Sequence, residues 1–251
     1  MNNGELTALL NLRIGPVVGP NRIRTLVQAL GSPEKVLSAS KPELCQVDGI
    51  NMAIAREVNN YSPNNFAEVQ LERADEYGVK IISIWDDEFP PLLKRIYDPP
   101  VVIFLNGELQ EEDADTVAIV GTRTPTSYGK QVAEELSREL AGAGMTIVSG
   151  FAKGIDTIAH LAALEAGGRT IAVLGNGLDV VYPAENRSYL PLFDENAVFI
   201  SEFPFGTKPD APNFPQRNRI ISGLSHGVLE VEAGSSSGDL LTALDSVDQK
   251  R

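Results

Sequence analysis

Thr116 to Asp156 reads TVAIVGTRTPTSYGKQVAEELSRELAGAGMTIVSGFAKGID, and this stretch decides the fold. A β-branched apolar run, TVAIV, stops at Gly121, and a helical pattern follows from Tyr128 to Ala141. A second apolar run, MTIVS, stops at Gly150 and gives way to another helical stretch, Ile155 to Ala166. Strand runs this uniformly apolar are buried on both faces, the condition of a strand inside a parallel sheet. The signal recurs in TIAVL (Thr170 to Leu174), AVFISE (Ala197 to Glu202) and GVLEVE (Gly227 to Glu232), with a helix expected over Gln216 to Leu224. Right-handed crossovers put every strand-to-helix loop on one sheet edge, where ligands of α/β sheets bind.

Three of these junctions open on glycine: AIVGTR (Ala118 to Arg123), IVSGFAKGID (Ile147 to Asp156) and VEAGSSSGD (Val231 to Asp239). Glycine lets backbone N–H groups approach an anion, and the helix behind adds the positive end of its dipole. The three loops, with FPQRNRIISG (Phe214 to Gly223), predict a polyanion or nucleotide site. Its candidate ligands in the first two loops are Gly121, Thr122, Arg123, Ser149, Gly150, Lys153 and Gly154; in the third they are Gly234, Ser237 and Gly238. The guanidinium of Arg123 suits bidentate phosphate contact, whereas Lys153 offers a point charge. Asp156 reads as a capping or loop-fixing acid. Arg217 and Arg219 flank Asn218 at the expected helix start, where cations oppose the dipole unless an anion joins them. Phe214 is placed to stack on a base. In the alternative reading, one arginine pairs with Glu202, Glu230 or Glu232 and Phe214 belongs to the core.

Other chemistries find little support. The first loop lacks GxGxxG and the second strand ends in Ser149-Gly150 rather than an acid, which argues against a dinucleotide. No P-loop is present, and no Ser–His–acid order or paired-carboxylate motif stands out, although Asp179, Tyr182 and Glu185 in GNGLDVVYPAEN make a possible polar cluster. With one cysteine, Cys45, and two histidines, His160 and His226, an internal disulfide is excluded and neither metal nor cofactor is expected; the histidines read as structural. No run of about 20 apolar residues suggests a membrane span, and the first residues carry no basic secretion signal. A reducing, cytoplasmic setting is expected.

The net charge of −13 opposes non-specific nucleic-acid binding, but the excess is uneven. Residues 1–115 hold 10 basic and 18 acidic side chains, residues 116–251 hold 11 and 16, and the field of a cleft depends on local charge. The run Glu111 to Asp115 is expected to be a solvated loop.

Residues 1–60 form a separate helical unit in this reading. RIGPVVGPNRIRTLV and LCQVDGINMAIAREV each place a Gly-containing turn before a helix and resemble helix-hairpin-helix units, with Asn51 where a second glycine is usual. A small bundle that only packs remains the alternative. The break YSPNNF (Tyr61 to Phe66) opens the larger domain, 61–251, beginning with a helix over Ala67 to Tyr77 and strands Val79 to Ile84 and Val101 to Leu105. A doubly wound sheet usually continues after a helix such as LLTALDSVDQKR, so the chain reads as truncated at its C-terminus.

The ordered set GTRTPTSYGK, IVSGFAKGID, TIAVLGNGLDVVYPAEN, ISEFPFG, FPQRNRIISGLS and VEAGSSSGDLLTA closely resembles the DNA-processing protein DprA (Smf) family over about residues 75–251. The helical segment resembles that family's SAM-like or helix-hairpin-helix extension. The resemblance implies an extended Rossmann-like α/β fold and a non-enzymatic protein that binds single-stranded DNA in a basic pocket. It also implies protection of incoming strands in natural transformation, loading of a RecA-type recombinase, and a homodimer. By motif match, Arg123, Lys153, Phe214, Arg217 and Arg219 would line the pocket, with Gly121, Ser149 and Gly150 giving close backbone approach. Asp239 departs from the family's SGSL by reading SGDL. A different class, the Rossmann-like nucleotide hydrolases of the phosphoribohydrolase type, carries PGGxGTxxE; here Leu241 and Thr242 stand where its acid is expected.

Overall fold

The computed structural model describes residues 1–13, 18–60, 65–193, 195–232 and Gln249. Among the described residues seven strands join in one sheet: β1 (Val79–Ser83), β2 (Val102–Asn106), β3 (Thr116–Gly121), β4 (Thr146–Ser149), β5 (Thr170–Leu174), β6 (Ala197–Ser201) and β7 (Val228–Val231). Their order is β1-β2-β6-β5-β4-β3-β7. The five strands β6, β5, β4, β3 and β7 run parallel, and the apolar runs of β3, β4 and β5 are buried along their whole length. Strand β2 is antiparallel to both β1 and β6 and extends the parallel sheet at one end.

Before the sheet lie α1 (Asn3–Arg13), α2 (Pro20–Leu30), α3 (Pro33–Ser38), α4 (Lys41–Leu44), α5 (Met52–Asn60) and α6 (Phe66–Tyr77). Between the strands lie α7 (Pro91–Lys94), α8 (Ser127–Gly142), α9 (Ile155–Glu165) and α10 (Asn213–Gly223). Alternation along β3 divides the core. Val117 and Ile119 point to α8 and α9, meeting Ala133 and Ile155, while Ala118 and Val120 point to α7 and α10, meeting Leu93, Ile220 and Ile221. Helix α10 begins at Asn213, three residues before the sequence-based start.

The N-terminal helices pack on the β1–β2 end of the sheet. Leu9, Ile23, Leu44 and Ile54 share one buried cluster with Val102, Phe104 and Phe205. Local signals set the short helices: Ser32 accepts from the Lys35 amide at 3.2 Å, and Ser40 and Glu43 form a capping box. Arg13, at the end of α1, reaches the main body and lies 3.4 Å from Glu202 Oε1.

The acidic run is not wholly solvated. Asp113 is buried, receives Arg169 Nε at 3.0 Å and Nη2 at 2.8 Å, and accepts from Thr146 Oγ1 at 2.8 Å. One acid of the run's four therefore fastens this 3-10 turn to the starts of β4 and β5, because a buried carboxylate requires a cation and donors.

Candidate functional site

A cavity of about 390 Å³ opens at the carboxyl ends of β4 and β5. Gly150 and Lys153 from the β4–α9 loop, Gly175 and Tyr182 from the loop after β5, Arg123 from the β3–α8 loop and Phe214 from α10 all contribute to its wall. Arg123 and Lys153 are exposed and supply its positive charge.

Phe214 organises one side. Its ring lies against the backbone of Gly175, where an added Cβ would come within 2.9 Å of Cδ1. The Arg123 guanidinium carbon sits 5.6 Å from the ring centroid and that of Arg217 5.9 Å, both within cation–π range. The Tyr182 ring is 5.6 Å away, tilted by 38°. Phe214 is half-buried, so it is both a packing residue and an available face.

The β4–α9 loop does not offer its amides freely. Asp156 Oδ2 accepts from Gly150 N at 3.1 Å and Ala152 N at 3.3 Å, the loop-fixing role expected of it. Ser149 is fully buried and donates to Ile119 O at 2.6 Å, so its hydroxyl serves the sheet. The close approach expected at glycine is present but meets protein. A Cβ at Gly121 would strike the carbonyl of Val231, and one at Gly154 the backbone of Thr122 and Arg123. Gly154 has φ of +88°, a conformation that glycine adopts without strain. Thr122 O accepts the Ile155 amide at 3.2 Å, which ties the two glycine loops together.

The two arginines of FPQRNR part company. Arg217 is buried beneath the cavity and donates to the carbonyls of Gly150 and Val173. Its Nε donates to Asn218 Oδ1 at 3.2 Å, and Asn218 is itself buried away from the cavity. Arg219 turns to the buried Glu202 and to Asp98 O at 2.7 Å, and Glu202 also holds Arg13. This is the carboxylate pairing weighed in the sequence for one arginine. Arg13 gives up its proton more readily than usual because burial outweighs the attraction of Glu202. With α10 starting at Asn213, neither arginine stands at the helix N-terminus. Gly234, Ser237 and Gly238 lie outside the described residues, as do Leu241 and Thr242.

Sequence reasoning grouped Asp179, Tyr182 and Glu185, but the structure separates them. Tyr182 and Glu185 face the cavity; Asp179 turns to Arg73 and the Gly206 amide. Lys153 Nζ lies 4.0 Å from Glu185 Oε1. His160 is fully buried near Phe151 and Phe193, with Nδ1 2.6 Å from Thr170 Oγ1, in a structural role.

Residues 80–251 match the family model of the DNA recombination-mediator protein A. The chain is 44% identical over 200 residues to the DNA processing protein DprA of Bacillus subtilis, covering 79% of this chain and 67% of that protein. It is 39% identical over 234 residues to protein Smf of Synechocystis, covering 90% and 58%. Against Escherichia coli Smf the figures are 46% over 207 residues, 82% and 55%. The chain thus spans roughly 55 to 67% of the length of these curated relatives. The crystal structure of Streptococcus pneumoniae DNA processing protein A superposes with a TM-score of 0.83 at 32% identity, covering 100% of this chain and 85% of that one. Helicobacter pylori DNA processing protein A, described for its unique single-stranded DNA binding mode, gives 0.63 at 32% identity, covering 69% and 78%.

Proposed function

The chain belongs to the DNA recombination-mediator protein A family, and on that premise we propose that it binds single-stranded DNA at the β4–β5 cavity. The observation that carries this reading is Arg123 stacked 5.6 Å over Phe214, beside Lys153 on the same cavity wall. Single-strand binders combine cations that follow the phosphates with aromatic faces for the bases, and the site has both. Arg123 and Lys153 hold phosphate oxygens; Phe214 stacks on a base; Arg217 fixes the floor. Binding tolerates many sequences and weakens steeply with salt.

The strand so held is protected during natural transformation and passed to a RecA-type recombinase. The protein works in the cytoplasm as a homodimer, without turnover chemistry, and residues 1–60 form its helical module. Support for these statements comes from the family relationship. The site needs no metal or cofactor for this role.

Fluorescence anisotropy of a labelled oligo-dT, at two salt concentrations and beside a duplex of equal length, tests the reading. Tight, salt-sensitive binding that favours the single strand, and that is lost in Arg123→Glu, is expected. Absence of binding at low salt, or indifference to Arg123→Glu, overturns it.

A further inference from the structure

The loop from Gly175 to Pro183, which carries Tyr182 to the cavity, is held from outside by two charged residues that do not touch the cavity. Asp179 Oδ1 and Oδ2 accept from the Gly206 amide at 2.9 and 3.1 Å. Its Oδ2 also receives Arg73 Nη2 at 2.9 Å, and its side chain is only 9% exposed. Arg73 comes from α6, before residue 80 where the family match begins, and its guanidinium lies 5.3 Å from the Phe205 ring centroid and 5.6 Å from that of Tyr77. The guanidinium thus meets two aromatic rings as well as the Asp179 carboxylate.

The rest of the loop is fastened nearer the sheet. Asn176 Nδ2 donates to Val180 O at 2.7 Å, Gly177 N to Thr207 O at 3.0 Å, and Ser201 Oγ to Asn176 O at 2.7 Å. Asp179 ties the apex, and three residues later the Tyr182 ring stands 5.6 Å from Phe214, 38% exposed. Two aromatic faces at that spacing and tilt make a platform wider than one ring.

We propose that Arg73 and Asp179 are positioning residues for single-strand binding, which act by holding Tyr182 beside Phe214 so that both rings contact the nucleobases. The inference rests on the single-strand reading above. It makes helix α6 part of the site, although α6 contributes no atom to the cavity wall.

The test is a double-mutant cycle on the full chain, read by anisotropy with oligo-dT, with thermal unfolding recorded for each variant. Arg73→Met keeps the packing stem and removes the ion pair; Asp179→Asn keeps an acceptor for Gly206 and removes the charge. Each is expected to weaken binding about three- to tenfold, and Tyr182→Ala about tenfold, the scale of one lost stacking contact. Tyr182→Phe restores binding, the dependence on salt stays unchanged, and Arg73→Met combined with Tyr182→Ala binds no more weakly than Tyr182→Ala alone. If Arg73→Met fails to fold, Asp179→Asn takes its place in the cycle. Losses that multiply in the double variant overturn the inference. So does wild-type affinity in both Arg73→Met and Asp179→Asn while Arg123→Glu abolishes binding, a result that leaves the single-strand reading standing. A wild-type chain that binds no strand removes that reading and this inference with it.

Discussion

Asp156 closes on the Gly150 amide, Oδ2 to nitrogen 3.1 Å, and takes the amide of Ala152 at 3.3 Å as well. The glycine loop after β4 therefore carries its own anion. Positive charge for a ligand must come from side chains above the loop, and Asp156 contributes shape rather than contact. Asp156→Ala leaves two loop donors without their acceptor, one of them buried, at a cost of about 1–3 kcal/mol. Urea denaturation is expected to show that loss. An unchanged midpoint would mean that the loop holds its form without the carboxylate.

Arg123 and Arg219 are expected to fail in opposite ways. Arg123 is exposed at the cavity, so Arg123→Ala should weaken oligo-dT binding about five- to tenfold and reduce the salt slope by about one phosphate contact, with stability unchanged. Arg219 is held by buried Glu202, so Arg219→Met should cost about 3 kcal/mol of stability and leave the slope alone. Anisotropy across a salt series, beside thermal melts, separates the two. A salt slope that falls in Arg219→Met would return that residue to the binding surface.

Much of this was legible in the sequence, and what was not has physical reasons. The parallel strands were read to within one or two residues, and in β3, β4 and β5 burial on both faces keeps the apolar run continuous. The direction of Arg219 was not. Helix positions turn by about 100° per residue, so Arg217 and Arg219 face nearly opposite sides, but a helix start misplaced by three residues hides which side is which. Asp113 looked solvated because its partner, Arg169, lies far away in sequence and no local pattern announces it. The glycines at 121 and 154 were read as clearance for a ligand, and a one-dimensional pattern cannot distinguish that from clearance for Val231 or Thr122. The anchoring of the cavity loop through Arg73 was invisible for the same reason.

His160 gives the fold an acid sensitivity. Burial, aided by the positive charge of Arg217, pushes its imidazole down from 6.5 to about 3. The Thr170 hydroxyl donates to Ile147 O at 2.8 Å and so accepts from His160 Nδ1–H, which leaves the neutral ring with Nε2 bare. The unfolded chain takes up a proton near pH 6.5 that the folded chain refuses until about pH 3. Stability from this group is complete above pH 6.5 and declines as pH falls through that window, by about 1.4 kcal/mol per unit. At pH 5 the decline is about 2 kcal/mol. The difference in unfolding free energy between wild type and His160→Gln, measured from pH 7 to 5, should shrink accordingly. A difference that stays constant would show that the ring is protonated in the folded protein.

Among the described residues Glu185 is the one acid on the cavity wall, and it faces the exposed Lys153. Lys153 Nζ lies 4.0 Å from its Oε1, with the two side chains 64% and 66% exposed. So open a pair adds little to stability. Its effect falls on the ligand, because Glu185 both occupies Lys153 and repels phosphate at the mouth of the site. Glu185→Gln is therefore expected to tighten oligo-dT binding about two- to fivefold in dilute buffer. The gain should fade toward 0.5 M salt, where the screening length drops to about 4 Å. Lys153→Gln should weaken binding, and adding Glu185→Gln to it should recover only the part due to direct repulsion. Equal affinities for wild type and Glu185→Gln at low salt would place the phosphates away from Lys153, and Arg123 would then carry the charge contact alone.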